Sequence, residues 1–136
     1  MKERVQVVVT GLGAITPLGN DVPTLWKALA EGHSGVRPIT HFDASALDTR
    51  IAAEVKDFDP KEYFDHKEAK RLDRFIQFAV VAVEQAISDA GLVINESNSK
   101  QTGVIIGSGI GGIGTVVSQV KVFEERGPRR VSPFLI

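Results

Sequence analysis

Residues 101–114, Q-T-G-V-I-I-G-S-G-I-G-G-I-G, constrain the fold more than any other stretch. Gly103, Val104, Ile105 and Ile106 form a run without polar alternation, the pattern of a strand covered on both faces. The run leads into Gly107, Gly109, Gly111, Gly112 and Gly114, with Ser108 and Ile110 between them. Glycine tolerates a positive φ and lets a backbone or a ligand come close, so a tight turn beside something bulky is expected. Residues 113–126 then read as a helix. Strand, glycine turn and helix in that order make the kind of unit at which α/β proteins often keep their chemistry.

The start of the chain repeats the theme. Residues 5–10 are rich in valine and read as a strand buried on both faces. Gly11-Leu12-Gly13 ends it, where the glycines read as simple backbone shape, and Pro17 and Gly19 shape the loop that follows. The opening apolar run is too short for a signal peptide, and Glu3 sits between Lys2 and Arg4. Asp21 is placed to cap a helix over residues 22–30, with Pro23 tolerated in its first turn. Leu25, Trp26, Leu29 and Ala30 share one face of that helix, and Glu31-Gly32 stops it. Residues 33–50 look irregular, with Gly35 and Pro38 as breakers; residues 51–55 suit a short edge or surface strand. Asp59-Pro60 predicts a capped helical turn.

A long helix is expected over residues 71–90. Leu72, Phe75, Ile76, Ala79, Val80, Val83, Ala86, Ile87 and Ala90 recur at helical spacing, and Gly91 fits the position just past its end. Phe78, Val81 and Ala82 add apolar surface on the other side, so the middle of this helix should be nearly enclosed by protein. Residues 93–100 form a polar connection.

Composition narrows the function classes. Apolar residues are 43% and charged residues 24% of the chain, an ordinary folded composition. The net charge of -1 gives no general argument for nucleic acid or an anionic membrane. Absence of cysteine rules out disulfides, thiolate metal sites and a cysteine nucleophile within these residues. No apolar run approaches the roughly 20 residues of a membrane span. His33, His41 and His66 show no metal-ligand spacing with Asp or Glu. The last residues, Phe134-Leu135-Ile136, are apolar and follow Pro128, Ser132 and Pro133. They fit either a segment docked on its own core or a cut through a larger fold.

Two clusters are candidates for function. Residues 107–112 satisfy G-x-G-x-x-G, which raises a dinucleotide loop. That fingerprint needs an acid about 20 residues on, at the end of a second strand. Glu124 and Glu125 fall instead at the end of a predicted helix, and the G-K-[ST] ending of a phosphate loop is absent, so a turn packed against protein fits better. The second cluster is Lys67, Lys70, Arg71 and Arg74, which share a face if their helix begins early enough. Positive charge at a helix N-terminus gains nothing from the dipole. The cluster is therefore either a solvated helix start or a face for an acidic partner. Ser108 lies outside any G-x-S-x-G setting.

Beyond these patterns, V-V-V-T-G-L-G-A-I-T-P-L-G-N at residues 7–20 resembles the opening of the β-ketoacyl-[acyl-carrier-protein] synthases, most closely the type II elongating enzymes of bacterial fatty acid synthesis. The resemblance continues through W-K-A-L at 26–29, G-x-S-G at 32–35, H-F-D at 41–43 and D-R-F-I-Q at 73–77. It closes with I-G-S-G-I-G-G at 106–112 and G-P-R-R-V-S-P-F at 127–134. It implies an α/β thiolase-like fold, a mostly parallel sheet sandwiched by helices, with only part of the N-terminal half present in residues 1–136. The enclosed helix and the apolar ending would follow from that.

The implied activity is an acyl transfer followed by decarboxylating Claisen condensation with malonyl-[acyl-carrier-protein] in fatty acid elongation. The family's cysteine and its two histidines would lie beyond these residues, so no catalytic residue is expected among them and the piece alone should be inactive. Ile110 matches the family's gate to the acyl tunnel, and Phe134 and Leu135 match the segment lining the far end of the pocket. Gly107, Ser108, Gly109, Gly111 and Gly112 would shape the turn. Lys67, Lys70 and Arg71, with Arg74 beside them, fall on the family's docking patch for acidic carrier protein. The implied partners are acyl carrier protein bearing acyl or malonyl phosphopantetheine and a second subunit in a homodimer, with no cofactor, metal, nucleic acid or membrane, in the cytoplasm. A polyketide chain-length partner and a non-catalytic carrier-binding α/β domain are the alternatives.

Overall fold

The computed structural model describes residues 4–133 and 135. Contacts divide the chain into two compact units, Met1–Phe58 with Val80–Thr102 and Asp59–Ala79 with Gly103–Ile136.

In the first unit, helix α1 (Val22–Ala30) begins where its sequence says it should. The Asp21 carboxylate accepts from the Thr24 amide at 2.7 Å and from the Thr24 hydroxyl at 2.9 Å. Such a cap contributes about 1 kcal/mol. At the other end Gly32 has φ +71; its amide donates to the Leu29 carbonyl and that of His33 to the Ala28 carbonyl. This paired closure satisfies two carbonyls that the helix leaves open. The expected apolar face of α1 is not covered: Ala28 is buried, whereas Trp26 is 71% exposed and Leu29 and Ala30 are also exposed.

Strand β1 (Val36–Pro38) pairs antiparallel with β2 (Ile51–Ala53), Val36 opposite Ala53 and Pro38 opposite Ile51. The surface strand expected at residues 51–55 is thus present, but β1 lies in a stretch read as irregular. Pro38 ends its strand, where a missing N–H is tolerated. Next to this ribbon the Glu54 carboxylate accepts from the Thr40 hydroxyl at 2.6 Å and from the Thr40 amide. These bonds, the hydroxyl first, hold its pKa below the ordinary carboxylate value.

Two expected strands are absent. Residues 5–10 and 103–106 carry no hydrogen-bonded ladder. Val5, Val7, Val8 and Val9 are largely exposed, and Ile105 is 99% exposed. The physical reason is that a strand exists only through its neighbours. Among the described residues, β1 and β2 form the only sheet, alongside an isolated bridge between Thr16 and Gly19.

In the second unit, Asp59 caps the short 3-10 turn Pro60–Glu62 through the Lys61 amide, as the Asp-Pro pair predicts. The helix expected at residues 71–90 is present over Arg74–Asp89, and a separate short helix precedes it. Helix α2 (His66–Arg71) ends at Leu72, which is extended at φ -93 and ψ 126. Helix α3 (Arg74–Asp89) starts after Asp73; its residues from Val80 onward belong to the first unit, where it closes at Gly91, whose φ is +59, with Gly91 and Leu92 amides donating to the Ser88 and Ile87 carbonyls. Enclosure of α3 is partial: among its described residues Gln77 and Val81 are buried, while Phe75, Ile76, Phe78 and Val83 are half-buried. Helix α4 (Ile113–Arg126) follows the glycine turn as expected, and residues Pro128–Arg130 make a further 3-10 turn.

Candidate functional site: a basic helix and a glycine turn

Helix α2 is organised by its caps. The Asp65 carboxylate accepts from the Lys67 amide at 2.7 Å and from the Glu68 amide at 2.8 Å. Those bonds, Glu68 first, lower the Asp65 pKa, with Arg71 and His66 adding attraction. Lys67, Lys70 and Arg71 are all exposed on this one helix, at the 3–4 spacing that puts side chains on a shared face. The break at Leu72 alters their electrostatics. Lys70 and Arg71 occupy the last turn of α2, where positive charge favours the dipole, rather than the start of a long helix. Arg74 does not share their face by continuous helix; it is the first residue of α3 and lies over the Phe78 ring, 4.9 Å from its centre.

Sequence reasoning gave no role to the side chain that joins these helices. Gln77 is 5% exposed, and its Nε2 donates to the Ala69 carbonyl at 2.9 Å and to the Leu72 carbonyl at 3.0 Å. Both amide hydrogens are therefore spent on the C-terminal turn of α2. A glutamine among Phe75, Ile76 and Phe78 was the available signal, because a buried amide needs partners.

The glycine turn is more open than its composition predicts. Residues 107–110 are exposed, and Ile110 is 79% exposed. The Ser108 hydroxyl accepts from the Gly111 amide at 3.0 Å, and Gly111 has φ +71, a conformation that favours glycine. The serine thus shapes the turn. Gly112 is the tight point, since a Cβ there would collide with the Asp73 carboxylate. That carboxylate also accepts from the Thr115 hydroxyl in the first turn of α4. One acid between α2 and α3 therefore ties the beginning of α4 to the basic helix. Farther along α4, Gln119 accepts from the Ser132 amide at 2.7 Å.

A cavity of about 360 Å³ in this unit is lined by Arg71, Asp73, Phe75, Ile76, Gly112, Val116 and Leu135. It brings Leu135 to the end of the glycine turn. Ile110 is not among its lining residues, and Phe134 lies outside the described residues. Among the described residues, no group of three or more His, Asp or Glu side chains could hold a metal ion, and no helix is long and apolar enough to cross a membrane.

Comparison with known proteins assigns the lineage. The N-terminal domain of β-ketoacyl synthases matches residues 4–136. The 3-oxoacyl-[acyl-carrier-protein] synthase 2 of Synechocystis sp. (strain ATCC 27184 / PCC 6803 / Kazusa) is 54% identical over 134 residues, which are 98% of this chain and 32% of that protein. The chain therefore spans about a third of the length of this relative. Among solved structures, the ishigamide ketosynthase/chain length factor superposes with a TM-score of 0.74 at 30% identity, over 94% of this chain and 32% of that one. A type II polyketide ketosynthase in complex with its acyl-carrier protein gives a TM-score of 0.74 at 26% identity, over 94% and 33%. These neighbours have the thiolase-like α/β fold, of which this chain forms a part. The chain belongs to the β-ketoacyl synthase family, in whose N-terminal domain it lies.

Proposed function

We propose that residues 1–136 are the first part of the N-terminal half of an elongating β-ketoacyl-[acyl-carrier-protein] synthase, cut before its catalytic cysteine. The observation that carries this reading is the 54% identity to a 3-oxoacyl-[acyl-carrier-protein] synthase 2 across nearly the whole chain. The 30% identity to a ketosynthase/chain length factor favours a polyketide partner less.

In the proposed reaction a cysteine thiolate, located past residue 136, attacks the acyl thioester of the carrier, takes the acyl group and releases the carrier's phosphopantetheine as its thiol. Malonyl carrier protein then loses carbon dioxide, and the electron pair of the broken carbon–carbon bond becomes an enolate. That carbon attacks the acyl thioester and expels the cysteine thiolate, leaving a 3-oxoacyl carrier protein. Two histidines, also farther along the protein, stabilise the charge on the malonyl oxygen. These 136 residues contribute wall and landing surface. Ile110 gates the acyl chain, Leu135 and Phe134 line its far end, and residues 107–112 shape the turn between them. Lys67, Lys70 and Arg71, with Arg74 alongside, receive the acidic carrier protein. The neighbour solved with its carrier protein supports that class of partner. The working form is a cytoplasmic homodimer without a cofactor.

The whole protein, given malonyl carrier protein and acyl carrier proteins of increasing chain length, should yield 3-oxoacyl carrier protein and one carbon dioxide per turnover, read by mass spectrometry. Ile110→Phe should slow long primers more than acetyl. Absence of product from every primer contradicts the condensing activity, and equal slowing at all lengths contradicts the gate.

A further inference from the structure

Helix α2 has six residues, too few to hold a helical conformation by its own hydrogen bonds. Something else must fix the direction in which its cations point. The N-terminal end is fastened locally by Asp65. The C-terminal end is fastened by Gln77, one turn inside α3, whose carboxamide reaches back to the Ala69 and Leu72 carbonyls. Gln77 is buried, and its own backbone amide donates to the Asp73 carbonyl, so its side chain starts from a fixed point. Leu72 is extended between the two helices, and a joint of that kind would otherwise let α2 swing.

We propose that Gln77 is a positioning residue for the basic face: its carboxamide clamps the last turn of α2 and holds Lys67, Lys70 and Arg71 in one arrangement for an acidic carrier protein. This rests on the docking role proposed above for α2. Gln77 makes no contact with the carrier. It reduces the ordering that binding would otherwise require.

The test uses the whole synthase and a bacterial holo-acyl carrier protein, with dissociation constants measured by calorimetry at low salt. Gln77→Met keeps the length and volume of the side chain and removes both donors. It should weaken binding about fivefold, the scale of one net hydrogen bond, while kcat stays within about twofold. In a background with Lys67, Lys70 and Arg71 all changed to Gln, the same substitution should have no further effect on binding. Parent-like affinity of Q77M, or an equal loss in the neutralised background, overturns the positioning role. If the neutralised protein itself binds like the parent, the docking role falls first, and that result is visible without Q77M. Should Q77M fail to fold, Gln77→Asn, too short to reach both carbonyls, replaces it with the same outcomes expected.

Discussion

The two glycine turns of this chain have similar sequences and opposite surroundings. At Gly11 and Gly13 a Cβ would run into the backbone of α3, at the Ala86 and Ala82 carbonyls respectively. The Leu12 amide between them donates to the Asp89 carboxylate at 2.9 Å, and the Ala14 amide to Gln85 Oε1 at 2.9 Å. At Gly107 and Gly109 a Cβ would meet no heavy atom within 4 Å. The first pair is glycine because the unit's own packing demands it. For the second pair no neighbour among the described residues makes that demand, and the proposed active-site wall supplies the reason. Substitutions should therefore separate stability from activity.

Gly13→Ala should have the largest effect, because a helix backbone cannot yield to the new methyl. Overpacking of this kind costs about 3 kcal/mol, read as a fall in the denaturant midpoint of the whole protein. A parent-like midpoint would erase the contrast between the turns. Gly112→Ala should come next, at about 1–3 kcal/mol, since its obstacle is the movable end of Asp73, at the cost of the Thr115 hydrogen bond. Thr115→Val should cost a similar amount, and the double variant less than the sum. Gly107→Ala should leave stability unchanged or raise it by up to about 1 kcal/mol, through the unfolded chain, while condensing activity falls. A large loss of stability there would place hidden packing at the second turn as well.

The smallest effect concerns acid. The Asp65 pKa is lowered in the folded protein, so its contribution to α2 is present above the ordinary carboxylate value of about 4 and is lost as pH falls through the lower folded value. Protection of the Lys67 and Glu68 amides from hydrogen exchange, taken relative to the intrinsic rate at each pH, should fall in that window, and Asp65→Asn should remove this pH dependence of the protection.

Helix ends were legible in the sequence because they are local chemistry. Asp21, Gly32, Asp59-Pro60 and Gly91 each act on residues within one turn. The long helix was legible from its apolar spacing, but the separate helix α2 before it was not, since its residues carry no apolar stripe and the clamp from Gln77 is a tertiary contact. Burial of residues 5–10 and 103–106 failed for a different reason. An apolar run reports what a segment can bury, and its covering layers must come from elsewhere. Of the basic cluster, Lys67, Lys70 and Arg71 were correctly read as sharing a face, whereas Arg74 begins another helix and stacks on Phe78. The close approach expected around residues 107–112 is found at Gly112 alone among the tight contacts, and the closer packing at Gly11 and Gly13 was read as plain backbone shape.

The proposed role of the chain as landing surface is tested most directly by the affinity of the whole synthase for acyl carrier protein after Lys67, Lys70 and Arg71 are reversed to Glu. At low salt the dissociation constant should rise by about tenfold or more, with the difference shrinking as salt is added. An unchanged constant across the salt series would contradict the account.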